Sequence, residues 1–230
     1  FIWCKAIEER KARVLRDAGF DMDLDGADSF SVQYQNANNS VRLTDEFMQA
    51  ALDGRDWALR ARSTGDVIDR VPARQLLREI AEASWECADP GVQFDTTINS
   101  WHTCPTSGRI RASNPCSEYM FLDDTACNLA SLNLMAFRRD DGSLDVEALR
   151  HAVRLWTVAL EISVLMAQYP SALIARRSYE FRTLGLGFAN LGALIMSLGH
   201  SYDSDVGRSL AGAITAFMTG TAYAVSAEMA

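Results

Sequence analysis

The sequence lacks an apolar run long enough to span a lipid bilayer. A spanning helix needs about 20 consecutive apolar residues, whereas the longest apolar stretch, residues 156–166, is interrupted by Thr157, Glu161 and Ser163. The first residues also lack the basic, apolar and small-residue order of a secretory signal peptide. We therefore expect no transmembrane helix and no membrane partner.

An excess of positive charge is also missing. The chain carries 22 lysines and arginines against 30 aspartates and glutamates, which gives a formal net charge of -8 and a pI of about 4.9. Binding to a phosphate backbone requires a basic patch or stripe, so we expect no nucleic-acid partner. Small anionic ligands are compatible with this charge, because they need only a few local donors.

The cysteine pattern excludes a secreted disulfide framework. There are five cysteines, an odd number, at positions 4, 87, 104, 116 and 127. The chain lacks the closely spaced cysteine pairs of structural zinc sites, so we predict no metal site from His102 and its neighbouring cysteines. The acidic run 21–26 imitates a calcium loop, but Val32 stands where a bidentate glutamate is required. Reduced thiols in the cytoplasm are the better interpretation, and a reduced thiol can be a catalyst.

Hydrophobic periodicity predicts a mixture of helices and strands. Helices are expected at residues 2–18, 44–54, 72–87 and 144–168 and in three further segments towards the end of the chain. Strands are expected at residues 30–35, 57–62, 67–71 and 183–186, with the second and third forming a hairpin. This mixture favours an α/β architecture without an internal domain boundary.

The two ends of the sequence resemble interrupted helices. Residue 1 is phenylalanine rather than an initiator methionine, and a helical pattern from about Asp205 still continues at Ala230. We therefore expect residues 1–230 to be a single fragment of a longer protein.

The segment from residue 113 to residue 119 carries the most reactive set of side chains. Asn114, Cys116 and Glu118 occupy positions i, i+2 and i+4, which would place them on one face of an extended chain. A thiol can lose hydrogen, a carboxylate can move a proton and an amide can hold a hydroxyl group. We expect these groups to share a closed pocket, and Cys127 could return to it if the chain folds back.

The motifs around this segment resemble those of class II, adenosylcobalamin-dependent ribonucleotide reductases. The resemblance includes the active-site finger loop, with Asn-Pro-Cys-Ser-Glu at 114–118 and the run from Leu122 to Leu134, and it extends over nearly the whole chain. The other matching motifs are residues 34–42, 44–47, 94–99, 101–104 and 184–187. The resemblance implies a ten-stranded α/β barrel, built of two five-stranded parallel half-barrels with the finger loop inserted.

The resemblance also implies a role for each residue of the finger loop. Cys116 would become the thiyl radical that takes the 3'-hydrogen of a ribonucleotide, in an enzyme whose radical comes from adenosylcobalamin. Glu118 would act as the base on the 3'-hydroxyl, and Ser113 and Asn114 would bind the substrate with it. Cys127 would be one member of the cysteine pair that becomes a disulfide. Its partner is expected upstream of residue 1, and no residue is matched to cobalamin.

Regulation and partners follow from the same resemblance. The amide-rich loop from Gln35 to Arg42 is similar to a specificity loop that senses a deoxynucleotide effector. Its candidate contacts are Gln35, Asn36, Asn38, Asn39 and Arg42. A reductant of the thioredoxin or glutaredoxin type and a homodimer are further expectations.

Several alternatives stay open. Cys116 taken alone would more often be a buried structural thiol. The chain could belong to a class I reductase, which receives its radical from a separate diiron subunit, or to a non-catalytic nucleotide-binding module. The glycines from Gly185 to Gly192 do not fit a dinucleotide fingerprint, because Asn190 replaces the third glycine. Close strand-to-helix packing better explains them.

Overall fold

The computed structural model describes residues 2–23, 25–34 and 37–230, and they form a mixed α/β structure. The chain divides into two compact units, Phe1–Asp123 and Asp124–Ala230. Each unit has its own strands, helices and apolar clusters, and each is described separately below.

The first unit contains four helices and four strands among its described residues. The helices are α1 (Ile2–Asp17), α2 (Asp45–Asp53), α3 (Ala73–Cys87) and α4 (Asp95–Ser100). The strands are β1 (Ser40–Leu43), β2 (Asp56–Arg60), β3 (Val67–Pro72) and β4 (Gly91–Phe94).

Helix α2 shows how local chemistry sets the elements of this unit. The Thr44 side chain caps the helix by accepting a hydrogen bond from the Phe47 amide at 3.2 Å. Gly54 ends it in the left-handed conformation, with φ of 71°. Its apolar face buries Phe47 and Ala50 against Ala73 at the start of α3, so the predicted cap, helix and stop are confirmed.

Two strand pairs complete the first unit. Strands β1 and β4 are parallel, with Arg42 opposite Gln93. Strands β2 and β3 form the predicted antiparallel hairpin. The strand predicted at residues 30–35 is wrong for the described residues 30–34, because Ser29–Ser31 form a 3-10 turn and Val32 is buried beside Ala12 and Met22 instead of pairing with a strand.

The second unit packs helices over one parallel strand pair. Its elements are β5 (Asn128–Asn133), α5 (Val146–Met166), α6 (Ala172–Phe181), β6 (Leu184–Ala189), α7 (Leu191–Ser197) and α8 (Asp205–Met229). Leu134, Leu149 and Val153 are almost fully buried in a core shared by β5, α5, α7 and α8. At the carboxyl end of the strand pair, the Asn190 side-chain amide donates to the Asn133 side-chain oxygen at 2.8 Å.

The described residues do not form a closed barrel. They contain three two-stranded sheets, of which two are parallel. The α/β class predicted from the sequence is therefore confirmed, and the ten-stranded closure is not seen within these residues.

Helix α8 is the one helix among the described residues that is long and apolar enough to cross a membrane by length and composition. This is weak support for a span, because the core helix of a soluble protein meets the same criteria. Its buried residues include Ile214, Met218 and Val225, and it packs against α5 and α7. The expectation of no transmembrane helix stays a prediction.

Candidate active site

The loop that carries Cys116 contains a tight turn. The Ser117 amide donates to the Asn114 carbonyl at 3.1 Å, and Pro115 occupies the second position of this turn, where its fixed φ is favourable. Ser117 follows in the left-handed region with φ of 65°. The Asn114 side-chain oxygen then accepts from the Tyr119 amide at 3.0 Å, which closes the loop a second time.

This turn corrects the geometry expected from the sequence. The prediction that Asn114, Cys116 and Glu118 share one face assumed an extended chain, whereas residues 115 and 116 lie in a turn. The alternation of faces in a strand does not apply to a turn. Any convergence of the three side chains must therefore come from the turn itself.

The side chain of Gln93 in β4 supports the turn by hydrogen bonds. This side chain is buried, with 5% of its surface exposed. Its amide nitrogen donates to the Ser113 hydroxyl at 2.7 Å and to the Ser117 hydroxyl at 3.1 Å. The Ser113 hydroxyl in turn donates to the Asn114 carbonyl at 2.8 Å. One buried amide thus holds both sides of the Cys116 turn.

Arg42 fixes the other end of the Gln93 side chain. Its guanidinium donates to the Gln93 side-chain oxygen at 2.8 Å, to Asp95 at 2.9 Å and to the Ile110 carbonyl at 3.2 Å. Arg109 also donates to the Asp95 carboxylate. Because Arg42 and Gln93 are register partners in β1 and β4, the parallel pairing of these strands builds the support.

Asp95 is the acidic centre of this network. Burial by itself would raise the pKa of the Asp95 carboxyl group, but hydrogen bonds from Arg42 and Arg109 outweigh burial and hold that pKa below its ordinary value of 3.8. The carboxylate therefore stays ionised and keeps both arginines in place. Asn99 adds a further clamp, since its side chain both accepts from and donates to the Ile110 backbone.

The thiol of Cys116 is on the surface of the described structure. Cys116 and Glu118 are both exposed, whereas Ser113 and Asn114 are half-buried. The closed pocket expected from the sequence is therefore wrong for this chain by itself. The loop presents the thiol at the tip of a turn whose base is rigidly hydrogen-bonded.

The effector-loop residues have different environments. Gln35 and Asn36 lie outside the described residues. Asn38 is exposed, and the side-chain nitrogen of Asn39 is buried without a hydrogen-bond partner in the described part of the chain. Arg42 is committed to the support of the Cys116 turn, so its predicted contact with an effector base has no support in this geometry.

Cys127 belongs to the second unit. It is half-buried and lies directly before β5, and its sulphur lies 3.7 Å from the Asn128 carbonyl oxygen. A side chain added at Gly185 of the paired strand would come within 3.0 Å of this sulphur. The placement of Cys127 against β6 could not be read from its sequence motif.

Sequence reasoning missed Gln93, Asp95 and Asn99. Asp95 and Asn99 lie within the segment 94–99, which resembles a motif of the reductases. The resemblance of this segment did not indicate what either side chain does. Gln93 could have been found from its position as a polar residue in a short strand. A polar side chain is buried in a strand only when it is hydrogen-bonded.

Among the described residues, no group of three or more histidines, cysteines or acidic residues could hold a metal ion. A corrin ring holds its own cobalt and needs no such protein cluster. The cofactor that the sequence motifs imply would need an accessible hydrogen donor from this chain, and the exposed Cys116 thiol would fit that requirement.

The chain is similar in sequence to known vitamin B12-dependent ribonucleotide reductases. The vitamin B12-dependent ribonucleotide reductase of Streptomyces coelicolor is 60% identical over 100% of this chain, which covers 24% of that protein. The enzyme of the same name from Agrobacterium fabrum is 58% identical over 92% of the chain and 17% of its own length. The vitamin B12-dependent ribonucleoside-diphosphate reductase of Mycobacterium tuberculosis is 33% identical over 84% of the chain and 28% of its own length.

The chain thus spans about a quarter of the Streptomyces relative. A family model described as the ribonucleotide reductase barrel domain matches residues 1–230. The chain therefore belongs to the ribonucleotide reductase family, as part of its barrel domain.

Proposed function

We propose that the protein reduces ribonucleotides to deoxyribonucleotides by radical chemistry at Cys116, in a cobalamin-dependent enzyme. The observation that carries the proposal is the presentation of the Cys116 thiol on a turn that buried Gln93 holds from both sides. A thiol that must exchange hydrogen needs access to its partners and a fixed position. The names of the relatives, which include vitamin B12 dependence, support the same chemistry.

Each residue in and beside the turn would have a separate role in the reaction. The Cys116 thiyl takes the 3'-hydrogen of the ribose, a reversible step because the S–H bond and the activated C–H bond are close in energy. Glu118, exposed two residues later, takes the proton of the 3'-hydroxyl, a role worth roughly 10² to 10⁴ in rate. Asn114 uses its side-chain oxygen within the loop, so its amide nitrogen is the donor for a ribose hydroxyl.

Cys127 would supply reducing equivalents. In the net reaction, a ribonucleotide and two thiols give a deoxyribonucleotide, one disulfide and water. The 2'-hydroxyl leaves as water, a C–H bond replaces it, and the two sulphurs are oxidised. We place the partner cysteine of Cys127 in the remaining part of the enzyme, as the family resemblance implies.

When bound, adenosylcobalamin supplies the initial radical by homolysis of its cobalt–carbon bond. This chain contributes the hydrogen donor, Cys116, and the support that fixes its position. In this proposal, the site is enclosed by parts of the enzyme other than residues 1–230. Those parts would also complete a ten-stranded barrel with residues 1–230 as one fragment of that domain.

The proposal includes regulation and partners. A deoxynucleotide effector near residues 35–42 is supported by the exposed Asn38 and by the buried side-chain nitrogen of Asn39, which has no hydrogen-bond partner among the residues that the structure describes. A reductant of the thioredoxin or glutaredoxin type would reduce the disulfide that contains Cys127. A cytoplasmic homodimer is the assembly we propose.

Replacement of the reactive sulphur tests the central claim. In the full-length protein with adenosylcobalamin and a dithiol, Cys116→Ser is expected to lower the rate of ribonucleotide reduction at least about 10⁴-fold. The reason is that the substitution removes the reactive sulphur on which the other catalytic residues depend. Deoxyribonucleotide formation is measured by chromatography.

Cys4→Ser is the matched control, because Cys4 is also an exposed free thiol but lies on helix α1. It is expected to leave the rate unchanged. Unimpaired reduction by Cys116→Ser would refute the radical role of Cys116. An unaltered protein that binds nucleotides but gives no deoxyribonucleotide would favour a nucleotide-binding module without catalysis.

A further inference from the structure

The amino end of β6 makes two contacts with the segment that carries Cys127. Strands β5 and β6 are parallel, with Asn128 opposite Leu184 and Leu129 opposite Gly185. Cys127 directly precedes the first paired residue, so its thiol lies at the open end of the strand pair. The neighbouring residues of β6 therefore decide how much space the sulphur has.

Gly185 provides that space. A Cβ atom at this position would lie 3.0 Å from the Cys127 sulphur and 2.4 Å from a terminal methyl of Leu129. The Leu129 side chain is 68% exposed, and its methyl can rotate away at little cost. The sulphur has only one torsion with which to avoid the clash, so an alanine at 185 would displace the thiol.

Thr183 fixes the backbone at the same place. Its hydroxyl donates to the carbonyl of Ala126 at 2.6 Å, directly before Cys127. Gly185 has no positive φ, and its backbone conformation is therefore open to any residue. The backbone conformation at 185 does not require glycine. The lack of a side chain there instead leaves space for the Cys127 thiol.

We infer that Thr183 and Gly185 are positioning residues for the Cys127 thiol, and that they set its reach towards the second cysteine and the substrate. This inference rests on the proposed reductant role of Cys127. The two residues act only through Cys127, since neither carries a redox group.

Gly185→Ala in the full-length protein tests the inference, with Gly187→Ala as the matched control. Gly187 lies two residues further in the same strand, where a Cβ would meet only the Ser131 hydroxyl at an ordinary 3.6 Å. The first measurement is the rate of iodoacetamide alkylation of Cys127 in the reduced, native protein, resolved by peptide mass spectrometry. It requires neither cobalamin nor turnover.

Gly185→Ala is expected to change the Cys127 alkylation rate at least about threefold, and to lower kcat about tenfold or more with KM unchanged, as misplacement of a reacting group does. Gly187→Ala should change neither. Equal alkylation rates in the two variants would overturn the inference, as would an altered alkylation rate with an unchanged kcat. Failure of the proposed function would instead show as full activity of Cys116→Ser.

Thr183→Val provides a second route if Gly185→Ala folds poorly. It removes the hydroxyl at nearly constant volume and is expected to change the alkylation rate in the same way. Thr183→Ser keeps the hydroxyl and should restore the normal rate. A Thr183→Val protein with unaltered Cys127 reactivity would contradict the inference.

Discussion

Asp95 is the residue on which the support of the Cys116 turn depends most directly. Its carboxylate accepts hydrogen bonds from both Arg42 and Arg109, and Arg42 in turn holds Gln93. Removal of one partner from a buried ion pair is costly, because the remaining charge loses its compensation. A neutral side chain at 95 should therefore weaken the whole network.

Asp95→Asn is expected to lower the free energy of unfolding by about 3 kcal/mol at neutral pH. The folded-state pKa of Asp95 lies below 3.8, so its stabilising contribution is complete above that value and is lost as pH falls through the lowered folded-state pKa. The stability difference between the original protein and the variant should therefore shrink in acid. Thermal unfolding followed by circular dichroism from pH 7 to pH 3 measures it.

Asp66→Asn in the exposed β2–β3 hairpin is the control for this titration. Its unfolding should follow that of the original protein at every pH. A pH-independent stability difference for Asp95→Asn would contradict the assigned pKa direction.

At this scale, the sequence selects candidate reactive residues but does not predict their surroundings. Asn114, Cys116 and Glu118 could be selected by their chemistry and motif, but their exposure depends on packing that spacing alone does not contain. Gln93 and Arg42 meet only because β1 and β4 pair in one register. That pairing is a long-range contact, and no local pattern specifies it.

At the scale of elements, β4 and the turn at 114–117 behave as one structural piece. Gln93 is the link, because its amide donates to hydroxyls on both sides of the turn. Buried hydroxyls that lose such a donor must find water or stay unsatisfied. The turn should open more often without it.

Gln93→Ala is expected to increase hydrogen exchange at the Ser117 and Tyr119 amides by about tenfold, since both amides donate within the loop and local opening exposes them. Exchange is measured by mass spectrometry or NMR on the native protein. Gln49→Ala, which removes a hydrogen bond to Asp53 on the exposed side of α2, should leave both amides unchanged. Unchanged protection in Gln93→Ala would remove Gln93 from the support of the turn.

Elements with strong local signals were predictable. Helix α2 has a threonine cap and a glycine stop, and the β2–β3 hairpin has a polar turn between two short segments that contain apolar residues. The segment at 30–35 had only a short alternation. Burial of Val32 against Ala12 and Met22 prevailed over that alternation, because a strand without a partner gains no ladder hydrogen bonds.

At the scale of the whole molecule, the source of the radical separates the two reductase classes. The names of the relatives include vitamin B12 dependence, which agrees with the cobalamin class proposed above. The closure of the barrel could not be predicted as a property of these residues alone, because two-stranded sheets require further strands to close.

The full-length protein is therefore expected to reduce ribonucleotides with adenosylcobalamin and a dithiol, at a rate that does not increase when a diiron radical subunit is added. Deoxyribonucleotide formation by the single purified polypeptide measures this. The control omits adenosylcobalamin and should give no product. Activity that requires the second subunit would instead assign the protein to the class I reductases.

The strand pair β5 and β6 is tied at both ends by side chains, Thr183 to Ala126 at one end and Asn190 to Asn133 at the other. The glycines at 185 and 187 leave β6 few side chains on one face to resist slippage, and glycine-rich strands are prone to register errors. A slip of even one residue would break both terminal hydrogen bonds together. The two side-chain hydrogen bonds therefore let β6 keep its glycines, including the room that Gly185 gives to Cys127, without losing a unique alignment of the sheet.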